Sequence, residues 1–290
     1  MVLRMNKNNT KKAILSILLV FILLIFFFIW QNNSIVITHI NYTNIKIPTE
    51  FYEYTIVQIS DLHNKNFGKN QIKLLNKIKE IGPDIIVVTG DIIDARHTDI
   101  DIAMTFIYGG VKIAPIYYVS GNHEARSGVY NTLREQLEDA GVTILDDNAL
   151  ELVLNDSSIQ LLGLSDPAFI PFSYMDNPIN DVIGRRLNEL NSPSENNTFK
   201  ILLSHRPELL EIYVDNKVDL VFTGHAHGGQ FRLPFIGGLF APNQGFFPKY
   251  TSGAHSVEET TMIVSRGLGN SIFPLRIFNR PEIIVVKLNN

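Results

Sequence analysis

An unbroken apolar run, AILSILLVFILLIFFFIW, occupies Ala13 to Trp30 near the start of the chain. Its length of about eighteen residues without a charge is at the lower end of what spans a lipid bilayer. Basic residues precede the run and few follow it closely; the preceding ones are Arg4, Lys7, Lys11 and Lys12. Because Lys and Arg are retained on the cytoplasmic side, this asymmetry predicts a cytoplasmic N-terminus with the rest of the chain outside.

A cleaved signal peptide is the alternative interpretation of this segment. Signal peptides have a shorter apolar core followed by a cleavage site of small residues. The residues after Trp30 read QNNSIVIT, without an Ala-x-Ala pattern, so we favour an uncleaved, single-pass anchor in the cell membrane. The chain is then divided into a cytoplasmic N-terminus at 1–12, a transmembrane helix at 13–30, a polar, β-prone tether at 31–52 and one folded domain at 53–288.

From residue 54 onward, short apolar runs alternate with stretches of helical spacing. The pattern predicts strands at 55–60, 85–90, 116–121, 143–145, 150–154, 159–164, 199–204, 220–224, 261–265 and 283–288. It predicts helices at 70–80, 100–108, 129–139 and 179–190. Such alternation is typical of an α/β domain with a largely parallel sheet and helices on its faces.

The net charge and the cysteine content exclude several classes of partner and active site. The net charge of −4 at pH 7 leaves no basic stripe, so we predict no nucleic-acid partner. The chain contains no cysteine, which excludes a disulfide framework, a thiolate zinc site and a cysteine nucleophile. No obligate protein partner is evident in the sequence.

Polar residues that can bind metals follow five of the predicted strands, at the point where each strand ends. They are Asp61, Asp91, Asn122, His205 and His225. In open α/β sheets, ligands bind beyond the carboxyl ends of the strands. The sequence therefore predicts a functional site at this edge of the sheet.

The spacing around these residues adds further candidates. Asp61-x-His63 and His225-x-His227 each place two side chains at i and i+2, which point the same way on an extended strand end. Each pair alone is as often a turn or a surface pair, but their repetition at successive strand ends favours a site. Mixed imidazole and carboxylate ligands suit Mn, Fe, Zn or Co, and two such cations about 3.5–4 Å apart can clamp a phosphoryl group.

Taken together, these motifs resemble the five-block signature of the calcineurin-like metallophosphoesterases. The blocks are Asp61-x-His63, Gly90-Asp91-x-x-Asp94, Gly121-Asn122-His123-Glu124, His205 and Gly224-His225-x-His227. The resemblance covers residues 53–288. The segments GHAHGGQFRLP (224–234) and VSRGLGNSIFPLRIFNRPEI (264–283) are similar to the bacterial branch that includes YkuE and YaeI. Some members of that branch are implicated in hydrolysing UDP-2,3-diacylglucosamine.

The resemblance implies a four-layer αββα sandwich of two mixed sheets and a site for two divalent metal ions. One metal would be held by Asp61, His63, Asp91 and His227, and the other by Asp91, Asn122, His205 and His225. Asp91 would then bridge the two ions. By the same resemblance, His123 would be a catalytic residue that faces the phosphoryl oxygens or the leaving group, oriented by Asp94.

Arg232 and Arg266 are candidates for binding the phosphate of a substrate, since Arg makes bidentate contacts to phosphate. An ordinary structural ion pair explains either residue equally well.

Two predicted loops are unusually hydrophobic, PAFIPFSYM at 167–175 and LPFIGGLFAPNQGFFP at 233–248. Because most phenylalanines are buried, we expect their rings to fill a core beneath the loops. The alternative hypothesis is a groove for acyl or polyprenyl chains beside the metals, formed by Phe235, Phe240, Phe246 and Phe247.

These features predict a membrane-anchored hydrolase of a phosphoester or pyrophosphate, acting outside the cytoplasm with the bilayer and a phosphorylated substrate as its partners. A lipid-linked substrate such as UDP-2,3-diacylglucosamine is one candidate, and a soluble extracytoplasmic phosphoester is the alternative. A protein of another class, a tethered metal-binding protein without turnover, is the remaining alternative. The complete set of candidate ligands and the His123/Asp94 pair argue against it.

Overall fold

The computed structural model of the chain describes residues 7–171, 179–191, 198–270 and 273–290. Its α-helices are α1 (Lys7–Asn33), α2 (Ile72–Ile81), α3 (Ile100–Gly110), α4 (Asn122–Ser127), α5 (Tyr130–Asp139), α6 (Ile179–Asn191) and α7 (Leu210–Asp215). Short 3-10 turns connect several of these elements.

Two six-stranded sheets form the centre of the domain. Sheet I has the order β1–β16–β2–β3–β4–β5, with β1 (Val36–Thr43), β2 (Thr55–Ile59), β3 (Ile85–Thr89), β4 (Ile116–Val119), β5 (Thr143–Ile144) and β16 (Glu282–Asn289). Sheet II has the order β14–β15–β9–β8–β7–β6, with β6 (Asn148–Leu154), β7 (Ser157–Gly163), β8 (Lys200–Leu203), β9 (Leu220–Thr223), β14 (Gly253–Val257) and β15 (Thr260–Val264). Two small hairpins follow β9, namely β10 (Arg232–Leu233) with β11 (Gly237–Gly238) and β12 (Phe240–Ala241) with β13 (Gly245–Phe246).

Both sheets are mixed. In sheet I, β2 to β5 are parallel to one another, while β16 is antiparallel to β2 and parallel to β1. In sheet II, β7, β8, β9 and β15 are parallel, and the two outer strands are antiparallel to their neighbours. The carboxyl ends of β2, β3 and β4 therefore lie at one edge of sheet I.

Three buried clusters of apolar side chains hold four layers together. The middle cluster lies between the sheets and includes Val87 and Ile284 of sheet I with Ile201 and Phe222 of sheet II. The second packs α2, α3 and α5 on the outer face of sheet I, and the third packs α6 and α7 on the outer face of sheet II. The predicted four-layer sandwich of two mixed sheets is confirmed.

Each strand and helix predicted beyond residue 53 is present, and the ends differ from the prediction by at most two residues. The end of α2 at Gly82 has a clear physical reason. Gly82 adopts the left-handed conformation with φ of 65°, and its N–H donates to the carbonyl of Ile78. α4 was not predicted, although it directly follows β4 and begins at Asn122.

Residues 31–52 differ from the predicted tether. Residues 36–43 form β1, the edge strand of sheet I, which pairs with β16 from Val36–Glu282 to Thr43–Asn289. Ile47 and Phe51 are buried between the two sheets. The alternating polar side chains of VITHINYT fit an edge strand as well as a tether, which is why the pattern alone misplaced the start of the folded domain.

The N-terminal helix α1 contains the whole predicted anchor. Its span Asn8–Asn33 is long and apolar enough to cross a membrane, and its apolar side chains are exposed over most of its length. Only Ser34 and Ile35 separate α1 from β1. The helix is therefore joined to the sheet without a flexible linker.

The C-terminal end of α1 packs on the segment before β16. The Arg276 N–H donates to Asn32 Oδ1 at 2.9 Å, and the Arg280 guanidinium lies 4.5 Å from the centre of the Trp30 ring. The rings of Phe27 and Phe278 are 5.7 Å apart. These contacts fix the direction in which α1 leaves the domain.

The expectation that the phenylalanines of 233–248 are buried is wrong. Phe235, Phe240, Phe246 and Phe247 are all exposed. The segment forms two-residue hairpins that are too small to enclose a core, so the rings remain outside. In the other hydrophobic loop, Phe169 is half-buried against Tyr130, and residues 172–175 lie outside the described part of the chain.

Candidate metal centre

The seven candidate ligands lie together where strand ends of the two sheets meet. Each follows the end of β2, β3, β4, β8 or β9 by a few residues, and each is buried. They are Asp61, His63, Asp91, Asn122, His205, His225 and His227. The structure thus brings together residues that are far apart in the sequence; the outermost, Asp61 and His227, are separated by 166 positions.

One group contains Asp61, His63, Asp91 and His227, whose ligand atoms lie within 4.8 Å of one another. The Nε2 atoms of His63 and His227 are 3.1 Å apart. His227 Nε2 lies 3.3 Å from Asp61 Oδ1, and His63 Nε2 lies 3.5 Å from Asp91 Oδ2. Two ring nitrogens and two carboxylate oxygens thus point at one common centre.

The second group contains Asp91, His205 and His225. His205 Nε2 is 3.2 Å from Asp91 Oδ2 and 3.2 Å from His225 Nδ1. Asn122 Oδ1 is buried and has no hydrogen-bond partner among the described residues. A buried amide oxygen without a partner is costly, and a cation would satisfy it.

Burial and neighbouring charges shift the pKa values of the candidate ligands in opposite directions. Burial raises the pKa of the Asp61 and Asp91 carboxyls, but the imidazoles of His227 and His205 outweigh it and hold both pKa values below the ordinary range. Burial lowers the pKa of His227 to about 3 and that of His225 well below its ordinary value. Metal ligands must be unprotonated, so the ionised Asp61 and Asp91 carboxylates and the neutral imidazoles of His225 and His227 suit divalent cations.

The imidazoles of His63 and His205 shift in the other direction, because neighbouring carboxylates outweigh burial and raise both pKa values. The Asp91 carboxylate raises the pKa of His205 to about 10. A cation between Asp91 and His205 would take the place of this proton, which is the usual exchange when a metal binds.

The backbone at the centre is strained. Five of the seven candidate ligands have positive φ: Asp61 (51°), His63 (45°), Asp91 (54°), His225 (64°) and His227 (46°). Left-handed conformations are uncommon for residues other than glycine, and each costs on the order of 1–3 kcal/mol unless the surroundings enforce it. The strand ends therefore turn sharply at the ligands themselves, and this clustering is typical of a functional site.

Glycines let two chain segments approach this centre closely. A Cβ atom on Gly121 would lie 2.3 Å from Asp91 Oδ1, and one on Gly224 would lie 2.5 Å from Asp61 Oδ2. Any side chain at either position would displace a carboxylate, which explains why a glycine precedes Asn122 and His225.

A Gly121→Ala variant is accordingly expected to bind metal about 10–100-fold more weakly, the usual effect of disturbing groups that support ligands. Metal titration followed by calorimetry measures this change. Gly184→Ala is the matched control, because a Cβ there meets only Ile212 Cγ2 at 3.9 Å. Wild-type affinity in Gly121→Ala would show that Asp91 need not occupy its present place.

Glu124 supports Asp91 from behind, a role that the sequence alone did not reveal. Its carboxylate accepts hydrogen bonds from the N–H groups of Asp91 (2.7 Å), Gly121 (2.7 Å) and Ile93 (3.2 Å). It is fully buried, so it holds the ends of β3 and β4 together. The signal was present, since Glu124 directly follows His123 in the third block.

His123 lies beside the first group, with its ring 4.4 Å from that of His63. The Ala95 N–H donates to His123 Nδ1 at 3.0 Å, which places the proton of the neutral ring on Nε2. Asp94 Oδ1 is 3.9 Å from Nδ1, and the Asp94 carboxylate accepts instead from the N–H and Nη2 of Arg96. The backbone at Ala95 therefore holds the ring, and the role that the resemblance implies for Asp94 stays a prediction.

Arg206 is a further site residue that sequence reasoning missed. It is buried, forms a bidentate ion pair with Asp166, and places Nη1 2.9 Å from His225 Nε2. Asn243 Oδ1 also lies 3.2 Å from His225 Nε2. A cavity of about 480 Å³ adjoins these groups and is lined in addition by Arg126. The position of Arg206 next to His205 was the available signal.

The two candidate phosphate-binding arginines have partners within the domain. Arg232 Nη1 donates to the carbonyl of Gly228 and to Thr251 Oγ1. Arg266 Nη2 forms an ion pair with Glu282 Oε1 at 2.7 Å. Contact of either arginine with a substrate stays a prediction.

A sandwich of two mixed sheets with a buried His, Asp and Asn cluster at the strand ends defines a metal-dependent hydrolase. The family model for calcineurin-like phosphoesterases matches residues 54–229, more than half of the chain. The chain therefore belongs to the calcineurin-like phosphoesterase family.

Individual relatives agree with this assignment. The chain is 33% identical over 254 residues to the uncharacterized metallophosphoesterase YkuE of Bacillus subtilis. The aligned region covers 84% of this chain and 82% of YkuE. It is 27% identical over 249 residues to the phosphodiesterase YaeI of Escherichia coli. That aligned region covers 81% of this chain and 82% of YaeI. The protein TT1561 of Thermus thermophilus has the same fold, with a TM-score of 0.51, 12% identity and coverage of 74% of this chain and 90% of that chain.

The resemblance inferred from the motifs is thus confirmed at the level of the superfamily. The chain is a metal-dependent hydrolase of phosphoester bonds. The family uses a dinuclear centre of divalent metals, and the two His/Asp groups suit one.

Proposed function

We propose that this chain is a membrane-anchored, two-metal phosphoesterase that cleaves a phosphodiester or pyrophosphate bond of a lipid-linked substrate at the membrane surface. The observation that carries the proposal is the direction of β1. The candidate metal centre and the exit of α1 lie at the same end of sheet I.

The strand pairing supports this placement. β1 is parallel to β16, and β16 is antiparallel to β2, so β1 begins at the edge where β2 ends. Val36 pairs with Glu282, and Ile284 pairs with Gln58. Neighbouring strands are about 4.8 Å apart, so the start of β1 and the end of β2 are separated by roughly 10 Å across the sheet. If α1 spans the bilayer, the strand ends that carry Asp61 and Asp91 face the membrane.

The proposed metal ligands are those that the motifs indicated. One metal would be held by Asp61, His63, Asp91 and His227, and the other by Asp91, Asn122, His205 and His225. When bound, two such cations supply positive charge to the phosphoryl oxygens and lower the pKa of a water. Manganese, iron and zinc all suit this nitrogen and oxygen donor set.

The protein groups around the metals have separate proposed roles. His123 presents its Nε2–H toward the centre and donates a hydrogen bond to a phosphoryl oxygen or to the leaving group. Glu124 positions Asp91 through the backbone of β3. Arg206 and Arg126 line the 480 Å³ cavity beside His225, which suits the anionic or polar part of a substrate.

The position of the centre supports a lipid-linked class of substrate. A substrate of the type of UDP-2,3-diacylglucosamine carries its acyl chains in the leaflet and its pyrophosphate in the headgroup region. A centre that faces the bilayer can reach this bond without extracting the chains from the membrane.

This proposal is tested by comparing substrates that share a headgroup. The full-length, Mn-loaded protein in lipid nanodiscs should show a higher kcat/KM toward a diacylated sugar nucleotide than toward the same nucleotide without acyl chains. Turnover of a soluble aryl phosphodiester reports the basal activity. Equal kcat/KM for the acylated and non-acylated compounds would favour a soluble extracytoplasmic phosphoester instead.

The topology of the anchor gives a separate prediction. Basic residues precede the apolar run of α1 and the domain follows it, so the domain is expected outside the cytoplasm. Protease added to intact protoplasts should digest the domain while a cytoplasmic marker protein stays whole. Protection of the domain until the membrane is permeabilised would reverse this topology.

A further inference from the structure

We propose that exposed apolar side chains beside the metal centre form a second membrane contact that enters the outer half of the bilayer. We call this surface the apolar rim; it consists of Phe235, Ile236, Phe246, Phe247, Phe273 and Phe278. The proposal rests on the membrane anchoring that forms part of the proposed function, and its occupant is the lipid leaflet into which α1 leads.

The rim is unusually exposed for side chains of this size. Phe235 is fully exposed, and the exposed fractions of Phe246 and Phe247 are 78% and 69%. Removing such rings from water is favourable in proportion to their apolar area, so a surface that covers them gains stability. Clustered exposed rings of this kind mark a contact surface of a protein.

The position of Phe278 along α1 sets the depth of the rim. Phe278 contacts Phe27, which precedes Trp30 by three residues. A helix rises about 1.5 Å per residue, so Phe27, which Phe278 contacts, lies roughly 4.5 Å closer to the bilayer centre than Trp30 for a helix along the membrane normal. Trp residues occupy the interface between lipid and water. A ring below Trp30 therefore lies among the lipid chains.

The rest of the rim is continuous with Phe278. Phe273 stacks edge-on with Phe231 at 4.9 Å, and the Arg232 N–H donates to the carbonyl of Ile277 at 3.0 Å. Arg232 begins the hairpin whose turn carries Phe235 and Ile236. Phe247 N–H donates to the carbonyl of Leu239 just after this hairpin. The two segments of the rim thus form one surface joined to α1.

Basic side chains surround the same end of the domain at the level of the headgroups. Arg280 covers the Trp30 ring, and Lys73 and Lys77 line a cleft of about 470 Å³ with Trp30 and Asn33. Cations beside apolar rings at one level are typical of a surface that rests on phospholipid headgroups. This charge favours a lipid surface over a second protein copy as the occupant.

The rim also borders the metal centre. The segment 231–247 follows His227 within four residues, and Asn279 Nδ2 donates to the carbonyl of His227 at 2.7 Å. Seating the rim in the leaflet would bring the centre against the headgroup layer. A lipid-linked phosphate would then reach the metals while its chains stay in the bilayer.

The test uses the absence of cysteine in the natural chain. Single-cysteine variants of the full-length protein, Phe235→Cys and Phe246→Cys, are labelled with a polarity-sensitive fluorophore and reconstituted in vesicles of phosphatidylethanolamine and phosphatidylglycerol. A nitroxide on the upper acyl chain of a lipid serves as quencher. We expect quenching at both positions to be several-fold stronger than at Ile45→Cys.

Ile45 is the matched control because it is 96% exposed and lies just beyond the end of β1 that points away from α1. Phe21→Cys, inside α1, reports whether the anchor itself is in the bilayer. Quenching at Phe21 without quenching at the rim would overturn the rim while leaving the anchor intact. Labels at the rim that are shielded from water but not quenched by lipid would assign the surface to a second copy and also overturn the proposal.

The outcome is independent of the catalytic proposal. Quenching requires no turnover, and hydrolysis of a soluble aryl phosphodiester by the unmodified protein reports the basal activity separately. Quenching at the rim in a protein without phosphodiesterase activity would support the membrane contact and contradict the proposed function. Activity without quenching at the rim would contradict the rim proposal alone.

Discussion

An Asp91→Ala variant is expected to retain less than about one-thousandth of the wild-type kcat toward a soluble aryl phosphodiester, since removing even one electrostatic stabiliser costs about 10²–10³-fold. Asp91 is shared by two of the three His/Asp groups that could hold a metal; the third consists of His63, Asp94 and His123. Its loss removes the negative charge between His63 and His205, so the metal content of the purified protein should also fall well below that of wild type. Steady-state kinetics and elemental analysis by mass spectrometry measure the two effects.

Two further variants separate chemistry from folding. Asp91 Oδ1 accepts a hydrogen bond from the His123 N–H at 2.8 Å, so alanine also leaves a buried donor unsatisfied. Asp91→Asn keeps an acceptor and the volume but loses the charge, and it should be similarly inactive with less loss of melting temperature. Asp156→Ala removes a carboxylate from an exposed turn and should behave as wild type. Near wild-type activity and metal content in Asp91→Asn would refute the bridging assignment.

A His123→Ala variant is expected to lower kcat by about 10²–10⁴-fold, the range for a positioned proton donor. The metal content should be nearly unchanged. His123 lies beside His63, but its Nδ1 accepts from the Ala95 N–H, and only Nε2 is left to face the centre. The contrast between a large loss of kcat and an intact metal content distinguishes a group that touches substrate from a ligand.

His255→Ala is the matched control for this variant, because His255 lies on β14 and its described contacts, with the Ser252 carbonyl and the Tyr250 ring, are local. An aryl phosphodiester with a better leaving group should narrow the difference between wild type and His123→Ala if His123 assists departure of the leaving group. Loss of one metal equivalent from His123→Ala would make His123 a ligand instead.

The strands and the candidate site residues were predictable from the sequence for a physical reason. Parallel strands that are buried on both faces are short apolar runs, and their carboxyl ends converge. Polar residues immediately after such runs, as in Ser60-Asp61 or Gly224-His225, stand out against them. The fold places all of these residues within one cluster.

Three features were beyond the reach of sequence patterns. β1 is an edge strand whose alternating polar residues match a linker equally well, and its partner β16 is far away in the chain. The exposure of Phe235 and Phe246 contradicts a statistical preference for burial that does not hold in two-residue hairpins. The positive φ values of the candidate ligands are imposed by tertiary packing, so the local sequence does not predict them.

Supporting residues were also poorly predicted. Glu124 and Arg206 act on Asp91 and His225 through hydrogen bonds that exist only in the folded chain. The resemblance assigns Asp94 to orienting His123; in the structure Asp94 accepts hydrogen bonds from Arg96 and lies 3.9 Å from His123 Nδ1, and the assignment stays a prediction. The spacing of motifs in the sequence identifies the candidate ligands. The residues that hold these ligands in place are brought near them by the tertiary fold, so the spacing does not identify them.

The position of β16 governs when this domain can fold during its synthesis. β16 follows every other strand along the chain, yet it lies between β1 and β2 in sheet I. While the ribosome is still making the chain, β1 has emerged without its partner β16, and β2 lacks its neighbour on one side. Pairing over such a sequence separation slows folding and leaves open strand edges prone to aggregation. Emergence of residues 282–289 is therefore the event that closes the sheet, and nascent chains that stall before it would be targets of proteases and chaperones.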